Sequence, residues 1–294
     1  MNSSETIDVS VVIPTLGGPS LMETINSLNA GSVLPYEILI CIPNGYSVKK
    51  TAWPSNAKIL FCPLKGQVAQ RSYGFSHAKS AYVMQLDDDM ILSFDCLKNL
   101  FAIIIGRNDP IAVAPLLVNK KNNQENFTEK QAMSLGKRIY YWLANGHRGY
   151  QSGQIMLSGF ALSPSRYEKK QIVKNAILTV GWLSGGCILH KKNNLVLEDY
   201  YPFKGKAYCE DLIHSHLMKK NGVGLLVNLT AECKTEFFSI FQDSFKKFIQ
   251  NAKRDFEARR YALKLSGRLS WRFYLIYFIF VASYFFRTDK KACA

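Results

Sequence analysis

The chain has 294 residues, of which 48% are hydrophobic and 20% charged, and its formal net charge is +15. That length buries a stable core without disulfide or metal staples, and those fractions exclude an intrinsically disordered chain and a multi-span membrane protein. Seven cysteines stand singly with no C-x-x-C pair, which points away from a zinc site or a disulfide framework.

The opening MNSSETID lacks the basic and apolar regions of a signal peptide, so a cytosolic chain is expected. In that setting the triplets Asn126-Phe-Thr128 and Asn228-Leu-Thr230 read as chance matches to a glycosylation signal.

The first third alternates apolar runs with amphipathic ones. VSVVIP (9–14) reads as a strand, 20–30 as a helix, and YEILICIP (36–43) and KILFCPL (58–64) as further strands. A helix over 68–79, the strand YVMQL (82–86), a helix over 94–107 and the strand IAVAPLLV (111–118) continue the rhythm. Continuous apolar strands separated by helices predict an α/β chain with a mostly parallel sheet, helices covering both faces. Ligands of such sheets sit at the carboxyl ends of the strands. The polar clusters Pro14-Thr15, Pro43-Asn44-Gly45 and Asp87-Asp88-Asp89 all fall there.

Residues 119–153 read as an excursion or lid, and 154–233 as a less regular second half. From about 240 the chain predicts a basic amphipathic helix, followed by the aromatic run 270–286. Residues 234–294 carry 13 Lys and Arg against five acids. Such a localised excess suits a polyanion, either anionic lipid headgroups or nucleic acid. The aromatic run is about 17 residues long and contains Arg272, so lying in the membrane interface suits it better than spanning; packing on the core is the alternative.

Three consecutive carboxylates after an apolar strand are tolerable when a cation fills the gap between them. Few hard oxygen donors are what Mg²⁺ or Mn²⁺ accepts when a substrate phosphate supplies the rest. The plain alternative is a solvated loop or helix start. Glu210-Asp211 opens a second helical stretch, where acids also serve as caps. Together, a metal diphosphate site and a distant carboxylate base suffice for substitution at a sugar carbon bearing a diphosphate.

In order and spacing these residues resemble the family 2 glycosyltransferases, inverting enzymes of the GT-A fold. VSVVIPT (9–15) is similar to the family's opening strand, and GQVAQRSYGFSHAKSAYVMQLDDD (66–89) to its glycine-arginine helix and DxD strand. GWLSGGCILHKK (181–192) resembles its acceptor-side glycine loop, and CEDLIHSHLMKKNG (209–222) its Glu-Asp helix. The resemblance covers roughly 8–233.

It implies a nucleotide-sugar-binding half over 1–118, an acceptor-binding half of the same domain over 119–233, and C-terminal helices over 234–294. It places Asp87 and Asp88 at the ribose and diphosphate, and Asp89 as metal ligand, with Asp87 and His214 as further candidate ligands. Asp211 becomes the catalytic base and Glu210 its orienting partner. Pro14, Thr15 and Asn44 would flank the nucleobase, Arg71 would approach the diphosphate or ribose, and Trp182, Gly185 and Gly186 would shape the sugar and acceptor pocket. The family's acidic turn after the second strand is replaced here by Pro43-Asn44-Gly45-Tyr46, and its Q-x-x-R-W motif of processive members is absent. Transfer of a single sugar is therefore expected.

The expected partners are a nucleotide-diphosphate sugar and a glycan or lipid-linked glycan acceptor, with Mg²⁺ or Mn²⁺ as cofactor and no nucleic acid. The expected place is the inner face of the cell membrane, peripherally. Two other readings stand beside this one. A sugar nucleotidyltransferase shares the sheet, but IPTLGGPS lacks the Arg of its phosphate loop. A non-catalytic lipid- or nucleic-acid-binding protein would explain the charge, but both acidic clusters would repel phosphate without a metal.

Overall fold

The computed structural model describes residues 5–48, 53–120, 134–163, 176–237, 241 and 243–288. Residues 121–133 of the lid expected over 119–153, Asn126 among them, lie outside the described residues.

The described residues form one nine-stranded sheet. Its strands are β1 (Glu5–Pro14), β2 (Val33–Pro43), β3 (Ala57–Cys62), β4 (Tyr82–Leu86), β5 (Ile91–Leu92), β6 (Ile111–Asn119), β7 (Ile177–Thr179), β8 (Cys187–Lys191) and β9 (Gly224–Thr235). The order is β3-β2-β1-β4-β8-β6-β9-β5, with β7 on the flank of β9. Parallel pairing carries the long ladders β1–β2, β2–β3 and β6–β9. The shorter β8 enters antiparallel between β4 and β6, an insertion that the βαβ rhythm did not announce.

Side-chain parity sorts the core into two layers, because successive strand residues face opposite sides of the sheet. Val9, Val11 and Ile13 of β1 and Ile38, Ile40 and Ile42 of β2 pack with α1 (Leu21–Asn29) and α3 (Cys96–Ile105). Val12, Leu39 and Cys41 face the other way, onto Phe75 and Ala78 at α2 (Gln67–His77). Each fully buried Ile or Leu contributes about 1.5–3 kcal/mol, so both faces of the parallel half are closed by helices.

The C-terminal region is a helical hairpin. α6 (Phe245–Leu265) and α7 (Trp271–Thr288) join through Phe248 on Tyr284, ring centroids 4.2 Å apart, and Phe256 on Phe273, 5.0 Å apart. Arg272 then donates to the carbonyls of Trp142 and Leu143 at 2.8 and 2.5 Å, satisfying the last turn of α4 (Leu135–Asn145). One face of α7 is thus core, with Phe273 and Ile276 buried. The other leaves Trp271, Tyr274, Phe278, Phe285 and Phe286 exposed. Among the described residues no helix is long and apolar enough to cross a membrane.

Candidate active site

The carboxyl ends of β1 and β4 and the start of β8 meet α5 (Glu210–Lys220). β4 runs straight into Asp87-Asp88-Asp89, and the Asp87 amide donates to the Gly186 carbonyl at 2.8 Å. The two glycines before β8 allow this approach. A Cβ on Gly186 would overlap the Met90 methyl, and one on Gly185 would overlap Glu210 Oε1. Gly185 and Gly186 therefore let the β8 backbone touch both acidic clusters at once.

Arg71, on α2, joins those clusters. It is 2% exposed, and its guanidinium reaches Glu210 Oε1 at 2.9 Å and Asp87 Oδ1 at 3.3 Å. Burial works to lower its proton affinity, but the charges of Glu210 and Asp87 outweigh that and raise it. Glu210 is further held by the Tyr200 hydroxyl at 2.8 Å. Gln67 donates to Asp87 Oδ1 at 2.9 Å, and Gln85 donates to the Gly185 carbonyl at 2.5 Å. Arg71 thus bridges two carboxylates inside the protein, where the resemblance had it approaching the diphosphate.

Among the described residues the remaining acids of each cluster have no cation within ion-pair distance. Asp88 accepts the Thr15 hydroxyl. Asp89 is partly exposed, and burial and the neighbouring Asp88 charge raise its carboxyl. Asp211 accepts its own helix amide, Leu212 N–H, at 2.9 Å. Burial and then the Glu210 charge push its carboxyl up to about 7. Asp87 rises to about 6, through burial opposed by Arg71.

Pro14, Thr15 and Asp88 line a cleft of about 870 Å³ beside β1. Its other walls are Lys65 to Gln70 and the segment from Tyr201 to Ala207, with Lys204 and Lys206. Lys65, Lys204, Lys206, Gln67 and Tyr200 were not singled out from the sequence. Gln67 lies inside the glycine-arginine motif without a role of its own there, the others belong to no motif, and only the fold carries 199–207 over the ends of β1 and α2.

Three expected site residues sit elsewhere. Asn44 is exposed at the end of β2, and its backbone amide binds Cys62 O at 2.9 Å. Trp182 is half-buried and donates its indole N–H to Leu162 O at 2.8 Å, tying down the 154–163 segment. His214 gathers with no group of three or more His, Cys, Asp or Glu among the described residues. It is 1% exposed and stacks on Tyr200 at 5.6 Å and 7°, with His190 5.6 Å away. Burial and the Arg71 charge drive it down to about 3, so it stays neutral.

Among the described residues no group of three or more His, Cys, Asp or Glu gathers to hold an ion. The donors on offer are the Asp89 carboxylate and the Asp87 oxygen that Arg71 and Gln67 leave free. Such a small set of hard oxygens fits Mg²⁺ or Mn²⁺, which keep water and substrate phosphate as the rest of their shell.

Residues 10–163, more than half of the chain, match the domain described as glycosyl transferase family 2. The chain belongs to glycosyl transferase family 2. Its fold is that of the GT-A group: a crystal structure of GalNAc-T7 with UDP, GalNAc and Mn²⁺ superposes with a TM-score of 0.58 at 17% identity, over 79% of this chain and 43% of that one. Staphylococcus aureus TarS 1–349 is similar at TM-score 0.46 and 14% identity, over 86% of this family 2 chain and 65% of that one. The same TarS fragment in complex with UDP-GlcNAc gives 0.44 and 13%, over 86% and 66%. The chain thus spans less than half the length of GalNAc-T7 and about two thirds of the TarS fragment. No curated protein sequence matches it.

Proposed function

We propose that this family 2 chain is an inverting glycosyltransferase that moves a single sugar from a nucleotide-diphosphate sugar to a hydroxyl of a glycan acceptor, lipid-linked in the form the C-terminal helices favour. The observation that carries the reading is the Arg71 bridge, which makes the DxD-like triplet and the Glu210-Asp211 helix parts of one site. The cleft beside Thr15 and Asp88 has the size for a nucleoside diphosphate, with Lys65, Lys204 and Lys206 at hand for its charge. A divalent ion on Asp89 would neutralise the charge of the departing diphosphate.

In the proposed reaction the acceptor oxygen attacks the anomeric carbon opposite the bond to the diphosphate. The new C–O bond forms as the old one breaks, and the departing nucleoside diphosphate keeps that electron pair. The acceptor proton passes to an Asp211 carboxylate oxygen. A carboxyl raised to about 7 is a base matched to neutral pH. Glu210, fixed by Arg71 and Tyr200, adds the negative charge that helps raise Asp211 and does not itself move.

In this reading 1–118 supplies most of the donor side, 119–233 the acceptor side together with the Tyr201–Ala207 wall of the donor cleft, and 234–294 the helical hairpin. The exposed aromatic face of α7, in a segment carrying 13 cations and five acids, supports peripheral attachment to an anionic bilayer at its cytoplasmic face.

A thermal-shift panel of nucleoside diphosphates with and without Mn²⁺ tests the donor side, since a ligand of the native state raises the melting temperature. The GalNAc-T7 structure of this fold contains UDP and Mn²⁺, so the uridine arm is measured first. One base shifting Tm only with the metal supports the reading. No shift with any of them, alongside salt-sensitive nucleic-acid binding, would replace it with a binding protein on a transferase scaffold.

A further inference from the structure

A second cavity, of about 330 Å³, lies on the other side of α5 from the Arg71 bridge, between that helix, the end of α6 and the residues Gln154, Ile155, Gly159 and Gly181. Leu212, His216, Lys219 and Lys220 line it at the spacing of a single helix face. Arg259 and Arg268 complete the wall with Gln154, and among the described residues no carboxylate borders it.

The positions of these cations are fixed by backbone geometry. α6 ends in a left-handed Gly267 at φ 68°, with Arg268 N–H on Leu263 O at 2.9 Å and Gly267 N–H on Lys264 O at 3.1 Å. α5 ends the same way, with Val223 N–H on Met218 O and Gly222 N–H on Lys219 O, both 3.0 Å. These turns satisfy the last carbonyls of both helices, so Lys219, Lys220 and Arg268 are not needed there as donors.

Arg259 is held differently. It donates to Asp255 at 2.8 and 3.2 Å and to Gly159 O at 2.7 Å, and lies over the Phe160 ring at 4.4 Å. It forms a rigid, neutralised wall. Among the described residues Lys219, Lys220 and Arg268 have no carboxylate within ion-pair distance. Their combined charge falls on His216, which burial and then Arg268, Lys220 and Lys219 push down. Like charges gathered on a concave, acid-free surface repel one another, and an anion placed among them relieves the repulsion.

We propose that this cavity is a phosphate-binding site, taking a phosphate or diphosphate group that Lys219, Lys220 and Arg268 grip and Arg259 backs. Its lining residue Leu212 is the chain neighbour of Asp211. A phosphate-bearing acceptor anchored here would therefore lie along the helix of the proposed base. That extension rests on the reading of Asp211, whereas the phosphate site does not.

The test is isothermal titration of the full chain with inorganic phosphate and pyrophosphate, in chloride buffer with EDTA so that metal-dependent binding at Asp89 is silent. Saturable binding is expected, weakened at least tenfold in K219Q/K220Q and several-fold in R268Q, with circular dichroism unchanged. Lys98→Gln, an exposed lysine outside the cavity, should bind as the wild type does.

Equal affinity in the wild type and in K219Q/K220Q and R268Q would overturn the site, as would no binding at all. Vesicles of phosphatidylglycerol, compared with phosphatidylcholine, identify the source. Competition with phosphate assigns the site to a lipid headgroup, and its absence assigns it to a phosphate carried by a soluble ligand or acceptor. Asp211→Asn should bind phosphate normally, so that failure of the transferase mechanism and failure of this site give different results.

Discussion

The two acidic clusters of this molecule are built alike and end in opposite states. In each, one carboxylate is claimed by Arg71: Asp87 on the strand side, Glu210 on the helix side. The unclaimed partners diverge. Asp88 meets Thr15 at the wall of a wide cleft, and Asp89, its chain neighbour, remains partly exposed. Asp211 has one amide of its own helix and no cation within ion-pair distance among the described residues, so burial lifts it to about 7. A shared arginine thus leaves one cluster free to receive a cation and the other free to receive a proton. The difference lies in what surrounds the leftover carboxylate, because the residue types are the same.

The largest effect should come from Asp211→Asn. Loss of a general base costs about a thousandfold in kcat, about 4 kcal/mol of transition-state stabilisation. The same change should stabilise the fold at pH 8, because the amide removes a buried charge while still accepting from Leu212. A Tm rise of about 2–4 °C corresponds to about 1 kcal/mol. A slow variant that is also less stable would break the contrast.

Arg71→Met removes the shared cation and strands Asp87 and Glu210 together. Breaking a buried pair in this way costs about 3–5 kcal/mol, read in urea unfolding. Arg71→Lys should recover only part of it, since one ammonium does not span both carboxylates as the guanidinium does.

Next comes Gly185→Ala. Its Cβ would press on Glu210 Oε1 and lie 3.6 Å from the Asp211 Cβ, so about 1–3 kcal/mol of stability should be lost, with kcat falling more than KM rises. An alanine variant of unchanged stability would show that the two clusters have room to separate.

The pH profile is the finest test. As a base Asp211 must be ionised, so kcat/KM should fall about tenfold per pH unit below about 7. Stability moves the other way. A carboxyl raised above its ordinary 3.8 favours the fold while protonated, and this stability is complete below that value and lost as pH rises through about 7. Asp87, raised to about 6, contributes with the same sign, so the difference between wild type and Asp211→Asn isolates Asp211.

Much of this was legible in the chain because it is local. Continuous apolar runs and the amphipathic stretches between them place α1 to α3 and the long parallel strands within a few residues of where they lie. The acidic triplet at a strand end and the Glu-Asp helix start are likewise matters of neighbours in sequence. Arg71 and Glu210 stand 139 residues apart, and only the insertion of β8 between β4 and β6 brings them together. Sequence therefore nominated Arg71 for the diphosphate or ribose, His214 for a metal and Trp182 for the sugar and acceptor pocket. The fold spends Arg71 on two buried carboxylates, His214 on a ring stack and Trp182 on the Leu162 carbonyl.

Tyr200, the second tether of Glu210, lies in an irregular stretch with no pattern to mark it. Periodicity and turn chemistry thus determined the layers, the family resemblance and the carboxylates to watch. Which carboxylate holds a charge and which waits for a proton was decided by tertiary structure, because proton affinity depends on burial and on charges brought near from distant parts of the chain.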